Sequence, residues 1–301
     1  MKGRDIVSIK ELSKEQILAI LTRAEEMKKN PPGSLLKGHL MASCFFEPST
    51  RTRLSFESAM KRLGGEVIGF SDAGSTATQK GESLYDAMKM IGFYSDVVVI
   101  RHPLEGAAKQ AAYATNKPVI NAGDGANEHP SQTLLDLLTI KECQGKMEGL
   151  NIAFVGDLLY GRTVHSLALA LRLFDCRLYF VAPSLLAMPD TICQQLRQAG
   201  VPFSFHQSME DVMDKVDILY MTRVQKERFA NQEEYLNVKD NFILTSRMLE
   251  KCQKQMKVLH PLPRVNEIDV SVDATPFAHY FNQAENGLYV RQALLAMLLG
   301  K

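Results

Sequence analysis

Short apolar runs of strand length alternate with helix-period segments along the whole chain. In the first half, "MASCFF" (41–46), "EVIGF" (66–70), "DVVVI" (96–100) and "KPVIN" (117–121) predict strands. In the second half, "NIAFVG" (151–156), "RLYFVA" (177–182), "DILYM" (217–221), "FILTS" (242–246) and "MKVLH" (256–260) do the same. Continuous apolar runs separated by helices imply parallel strands covered on both faces, hence an α/β protein. Such sheets bind ligands beyond the carboxyl ends of their strands, so the chemistry is sought just after each run. "HPSQTLLDLLTIKECQG" (129–145) predicts a helix joining two α/β domains. The terminal "GLYVRQALLAMLLG" predicts a helix with no strand after it, free by pattern alone to pack on either domain. No repeat, low-complexity tract or long linker interrupts the alternation.

Composition narrows the classes. With 301 residues, 46% of them apolar, the chain has enough length and hydrophobicity for two buried cores. Thirty-five basic and 34 acidic side chains leave a net charge of +1, so no global field recruits nucleic acid or an anionic membrane. Any anion binding must be local. The five cysteines (Cys44, Cys143, Cys176, Cys193, Cys252) are odd in number and lack the spacing of zinc ligands, which predicts a reduced, cytoplasmic setting. "MKGRDIVSIKELSKEQ" turns charged too early for a signal peptide, and "ALLAMLLG" is too short for a bilayer, so neither a targeting segment nor a membrane span is expected.

Candidate chemistry follows the strands. After the first run, "EPSTRT" places Ser49, Thr50, Arg51, Thr52 and Arg53 at the start of a helix whose Leu54, Ala59, Met60 and Leu63 share one face. Unpaired amides and the positive end of the helix dipole make this turn a phosphate cradle; the bland alternative is that the hydroxyls cap the helix and the arginines are solvated. Arg101 ends the third run. His129 and Gln132 flank Pro130, the expected first residue of the next helix. Taken singly, these are as readily an ion-pair partner and a cap.

"VGDLLYGRTVHSL" imitates a phosphate-binding loop, with Arg162 in the lysine position. Asp157 would set negative charge near the phosphates, and Leu158, Leu159 and Tyr160 would crowd the backbone, so nucleotide binding is rejected; the dinucleotide fingerprint is missing too. Arg223 and Gln225, two apart in an extended stretch, can face one side and grip a carboxylate. In "HPLPR", Pro261 and Pro263 hold an irregular backbone whose carbonyls can accept from an amino group.

"STRTR", "RHP", "HPSQ", "GRTVHSL", "MTRVQKER" and "HPLPR" stand here in the order found in aspartate carbamoyltransferase catalytic chains, and the chain resembles that family from end to end. The resemblance implies two parallel-sheet α/β domains joined by interdomain helices, with the C-terminal helix packing back on the first. It places a carbamoyl phosphate-binding domain at 1–130 with helix 286–301, and an aspartate-binding domain at 131–285. It further implies a homotrimer whose active sites are shared between neighbouring chains. Related trimers occur both alone and with separate regulatory chains, so regulatory partners stay open.

By match, Ser49, Thr50, Arg51 and Thr52 resemble the family's phosphate grip, and Arg101 reaches the phosphate and the carbamoyl oxygen. His129 and Thr52 bond the carbonyl oxygen, and Gln132 orients the carbamoyl amide. Arg162, Arg223 and Gln225 resemble the aspartate ligands, with the Pro261 and Leu262 backbone positioning the reacting groups. Glu47 and Arg228 match partners in the ion pairs of the closed site. Lys80 matches the lysine that enters the adjoining subunit's site, with Thr76 a companion in a loop one residue shorter than some family forms.

The implied reaction is carbamoyl transfer from carbamoyl phosphate to the α-amine of aspartate, with no metal or organic cofactor. Five cations, Arg51, Lys80, Arg101, Arg162 and Arg223, oppose the charge of the two substrates. Ornithine carbamoyltransferase would share the first half, but it carries a cysteine in the motif that is "HPLP" here, and Arg223 with Gln225 favours a dicarboxylate. A noncatalytic anion-binding module is the alternative from another class.

Overall fold

The computed structural model describes residues 1–75, 80–224 and 242–301. The chain divides into two compact units, residues 1–138 with 285–301 and residues 139–284. In the first, β1 (Leu40–Phe45), β2 (Glu66–Phe70), β3 (Val97–His102) and β4 (Val119–Asp124) form a parallel sheet of order β2-β1-β3-β4. Helix α1 (Lys14–Lys29) precedes β1, and α2 (Thr50–Arg62), α3 (Leu84–Tyr94) and α4 (Ala107–Ala114) lie between the strands in sequence. β1, β3 and β4 bury nearly every residue, whereas β2, at the edge, is largely exposed. The outer edge of β4 is covered: Ile6 N–H donates to the Val119 carbonyl (2.8 Å), and Asn121 N–H donates to the Ile6 carbonyl (2.9 Å).

The buried stripe of α2 runs through Thr52, Phe56, Ala59 and Met60 to Leu63 at the helix end. Leu54 lies off it and is 49% exposed, so its expected place on the packed face is corrected. Leu54 stands two residues from both Thr52 and Phe56, about 200° around the helix from each.

Helix α5 (Pro130–Gln144) begins in the first unit and ends in the second. There β5 (Leu150–Val155), β6 (Cys176–Val181), β7 (Phe203–His206), β8 (Ile218–Met221) and β9 (Lys257–Leu259) pair in parallel in the order β7-β6-β5-β8-β9. Helices α6 (Arg162–Leu171) and α7 (Asp190–Gln198) follow β5 and β6. Two expectations change. "FILTS" forms no strand: Leu244 makes a single bridge to Ile268, and a 3-10 turn starts at Ser246. β7 escaped notice because four residues, two of them polar, give too short a pattern.

The last helix, α8 (Tyr280–Leu298), starts seven residues before the expected segment, and from Glu285 on it belongs to the first unit. Lys28 Nζ donates to Asn286 Oδ1 (2.8 Å), and the buried Arg291 donates to Ser55 Oγ (2.9 Å) while lying over the Phe56 ring. Among the described residues no helix is long and apolar enough to cross a membrane.

The end of β4 is locked by Asn121, which is fully buried. Its Nδ2 donates to the Val7 carbonyl (3.0 Å) and to Asp124 Oδ1 (2.8 Å), and its Oδ1 accepts from Gly123 N–H (2.8 Å). Asn121→Ala takes the side-chain partner from the Val7 carbonyl and the Gly123 amide, at about 1 kcal/mol or more each, and removes one of the four donors to Asp124. Calorimetry should show the first unit melting several degrees lower; an unchanged midpoint would mean that water replaces the amide.

Candidate active site

In the first unit, β1, β3 and β4 are neighbours, and parallel pairing sends their carboxyl ends to one edge of the sheet. Glu47 and Ser49 to Thr52 follow β1, Arg101 lies at the end of β3, and His129 and Gln132 follow β4. Ser49 is the N-cap of α2, yet its side chain makes no capping hydrogen bond, and the first turn holds no acidic residue. Capping therefore does not account for this hydroxyl, and the turn's positive field is left uncompensated from within. Arg53 turns instead to Glu57 within the helix, at 3.6 Å, which removes it from the cradle. Arg51 and Thr50 are exposed, while Thr52 is buried.

Arg101 donates from one terminal nitrogen to Glu47 (2.8 Å) and from the other to the Ala122 carbonyl (3.3 Å). Its Nε is buried, with no hydrogen-bond partner among the described residues. Glu47 thus engages Arg101 directly. Lys80 is exposed, and Thr76 lies outside the described residues.

Buried carboxylates that sequence reasoning passed over hold this edge in place. Asp124 accepts from Asn121 Nδ2, Glu128 N–H, Gly106 N–H and Asn127 Nδ2, at 2.8 to 3.2 Å. Glu128, next to His129, accepts from Ser8 Oγ and Ile9 N–H, both at 2.8 Å, tying the loop to the N-terminal segment. His129 is almost wholly buried, with Ser131 Oγ 3.4 Å from its Nδ1. One turn on, Gln132 Nε2 donates to Asp136 Oδ1 (2.9 Å). Burial draws the Arg291 guanidinium down to about 10, and the Asp136 charge opposes that shift. Nothing in the sequence marks these carboxylates as buried: Asp124, Glu128 and Asp136 recur through and after an apolar strand, and so does the exposed Glu142.

In the second unit the adjacent strands β5, β8 and β9 lead to Arg162, Arg223 and "HPLPR". Gly156 follows β5 with φ +111°, and a Cβ there would stand 2.5 Å from the Thr222 carbonyl oxygen, so only glycine fits. Thr222 Oγ1 accepts from Asp157 N–H (2.9 Å) and donates to the Val155 carbonyl (2.9 Å), stitching β5 to β8. Asp157, fully buried, accepts from Tyr160 N–H (2.9 Å). The loop that imitates a phosphate-binding motif is thus closed on its own carboxylate. Arg162 opens α6, and Arg223 lies two residues beyond β8; both are partly buried. Gln225 and Arg228 lie outside the described residues.

After β9, His260 Nε2 meets Glu267 Oε1 at 2.6 Å, and Leu262 N–H donates to His260 Nδ1 (2.8 Å). Burial pushes the imidazole below its ordinary value, although the Glu267 carboxylate pulls the other way. Burial alone would raise Glu267, but hydrogen bonds from His260 and the backbone hold it low. For His260 the unfolded chain takes up a proton first as pH falls. Its contribution to stability is therefore complete above the usual imidazole value, about 6.5, and is lost as pH drops through the folded-state value.

Among the described residues, no group of three His, Cys, Asp or Glu side chains is arranged to hold a metal ion. The five cysteines are unpaired, and burial raises Cys44 to about 12, which makes it a poor nucleophile.

Residues 4–142 match the family described as "Aspartate/ornithine carbamoyltransferase, carbamoyl-P binding domain", and residues 148–298 match its "Asp/Orn binding domain". The chain is 54% identical over 301 residues to the "Aspartate carbamoyltransferase catalytic subunit" of Chromobacterium violaceum, covering 100% of this chain and 99% of that one. Among solved structures it is similar to the catalytic subunit of M. jannaschii aspartate transcarbamoylase (TM-score 0.92, 49% identity, 98% of each chain). It is also similar to the Trypanosoma cruzi aspartate transcarbamoylase in complex with carbamoyl phosphate and aspartate (TM-score 0.92, 37% identity, 99% of this chain and 98% of that one).

Proposed function

Because the chain belongs to the aspartate/ornithine carbamoyltransferase family, we propose that it transfers the carbamoyl group of carbamoyl phosphate to the α-amine of L-aspartate, giving N-carbamoyl-L-aspartate and phosphate. The single observation that carries aspartate over ornithine is the end-to-end likeness to an aspartate carbamoyltransferase catalytic subunit, 54% identical over 301 residues. Arg162 and Arg223, after the neighbouring strands β5 and β8, add support: two guanidinium groups suit a dicarboxylate and repel a second ammonium.

In this reading Ser49, Thr50, Arg51 and Thr52 hold the phosphate at the amino end of α2. Arg101 exchanges Glu47 for the substrate, spanning phosphate and carbamoyl oxygen. An arginine already held by one carboxylate gives up little when another anion takes its place. His129 and Thr52 donate to the carbonyl oxygen, which gains charge as the amine attacks carbon and returns it as the bond to phosphate breaks, the departing phosphate taking the amine proton. One donor aimed at such an oxygen lowers the barrier by about 3 kcal/mol. With its Nε2 committed to Asp136, Gln132 offers Oε1 to the carbamoyl amide. Lys80, Arg162, Arg223 and Gln225 bind the aspartate carboxylates, the Pro261 and Leu262 carbonyls receive substrate N–H groups, and Glu47 and Arg228 each take part in the ion pairs of the closed site. Each cation about 4 Å from a substrate charge contributes about 4 kcal/mol before desolvation at an effective dielectric near 20, so several are needed. The working form is a cytoplasmic homotrimer, with Lys80 entering a neighbour's site.

The purified chain should carbamoylate aspartate without added metal and leave ornithine untouched, as followed by citrulline and carbamoyl-aspartate chromatography. Turnover of ornithine with none of aspartate would overturn the assignment.

Sharing of the site is checked by mixing. Arg51→Ala and Lys80→Ala should each be nearly inactive alone, but after subunit exchange an equal mixture should regain about a quarter of wild-type activity, the random chance of pairing an intact Arg51 with a neighbour's intact Lys80. Exchange shown by native mass spectrometry without recovered activity would place Lys80 outside the neighbour's site.

A further inference from the structure

Leu262 is the one residue other than glycine with a positive φ, +54°, among the described residues. A side chain in the left-handed region costs energy, and such strain persists only where the surroundings enforce it. Here the enforcing group is an imidazole. Leu262 N–H donates to His260 Nδ1 (2.8 Å), while His260 N–H donates to Gln283 Oε1 (2.8 Å) and anchors the base of the loop. His260 Nε2 lies 2.6 Å from Glu267 Oε1, with the two side chains 1% and 5% exposed. Glu267 Oε2 then accepts from Val265 N–H (3.0 Å) and Asn266 N–H (3.1 Å), closing the other arm of the loop.

The donors fix the tautomer. Leu262 can bond only to a bare Nδ1, so the imidazole proton sits on Nε2 and points at the carboxylate. We infer that His260 and Glu267 are a positioning pair for carbamoyl transfer: Glu267 keeps the proton on Nε2, and the bare Nδ1 anchors Leu262 so that the Pro261 and Leu262 carbonyls face the substrate. This rests on the role proposed above for those carbonyls. A second proton would place two donors face to face and release the Leu262 amide. The charged groups facing the imidazole are Glu267, Arg264 and Arg223, and the two arginines disfavour that proton. Arg264 is itself held by Asp273 and by Tyr280 Oη, so this influence is fixed in place.

Two isosteres separate positioning from simple loop stability. His260→Asn keeps an acceptor near Nδ1 and loses the reach to Glu267; His260→Gln keeps a donor near Nε2 and loses the acceptor for Leu262. Both lose buried contacts and should melt at similarly lowered temperatures. His260→Asn should hold kcat within about fivefold of wild type, whereas His260→Gln should lose about a hundredfold, the usual effect of a small misplacement of reacting groups. Hydrogen exchange over the 260–267 peptide should show the Leu262 amide protected in wild type and His260→Asn, and exchanging freely in His260→Gln. Equal kcat in the two variants, or free exchange at Leu262 with wild-type kcat, overturns the inference. If neither variant folds, Glu267→Gln is read instead, with a fall in kcat of about tenfold and free exchange at the Leu262 amide expected; wild-type kcat there overturns it. Failure of wild type to carbamoylate aspartate would sink the proposed function, whereas the exchange measurement would still report the anchor.

Discussion

Parallel strand pairing is the constraint on which the rest depends. It sends the carboxyl ends of β1, β3 and β4 to one edge of the first sheet, and those of β5, β8 and β9 to one edge of the second. At such an edge the backbone leaves the ladder, and its amides and carbonyls need new partners. Buried side chains supply them: Asn121, Asp124 and Glu128 in one unit, Thr222, Asp157 and Glu267 in the other. Their bonds decide where Arg101, His129 and Arg223 stand. A cradle whose loops are already tied loses little entropy when an anion arrives.

Charge is managed locally, as a net charge of +1 requires. The first turn of α2 holds arginine and hydroxyl groups with no acid, although a carboxylate there would have stabilised the helix itself. Glu47 instead holds Arg101 from outside the helix. A carboxylate that can be displaced stores the guanidinium in a defined place, whereas a permanent cap would quench it. Asp157 plays the opposite part in the second unit, where it spends its charge on its own loop and leaves Arg162 to begin α6.

Much of this was legible in the residues. Eight of the nine expected runs are strands: continuous burial leaves a continuous apolar signal in all of them but the exposed edge strand β2, and Pro130 opens α5 as its fixed φ suggests. Phe203 to His206 was lost because an edge strand of four residues needs no apolar run, and Phe242 to Ser246 misled because burial at Phe242 and Leu244 imitates a strand without its pairing. Leu54 shows the limit of helical periodicity: several faces of a short helix can be drawn through apolar residues, and only the neighbouring strand decides between them. The supporting shell was least legible. Nothing in the spacing of Asn121, Asp136 or Glu267 distinguishes a buried polar anchor from a solvated side chain; what sets them apart is which backbone groups the fold leaves unpaired.

The central proposal is that one chain carries the groups for both substrates, those for phosphate and carbamoyl after β1, β3 and β4 and those for the aspartate carboxylates after β5 and β8. A phosphonate that joins both substrates in one molecule reads this directly by titration calorimetry. The account predicts binding at least about a thousandfold tighter than carbamoyl phosphate alone, because one association then satisfies both sets of groups. An affinity no greater than that of carbamoyl phosphate would contradict it.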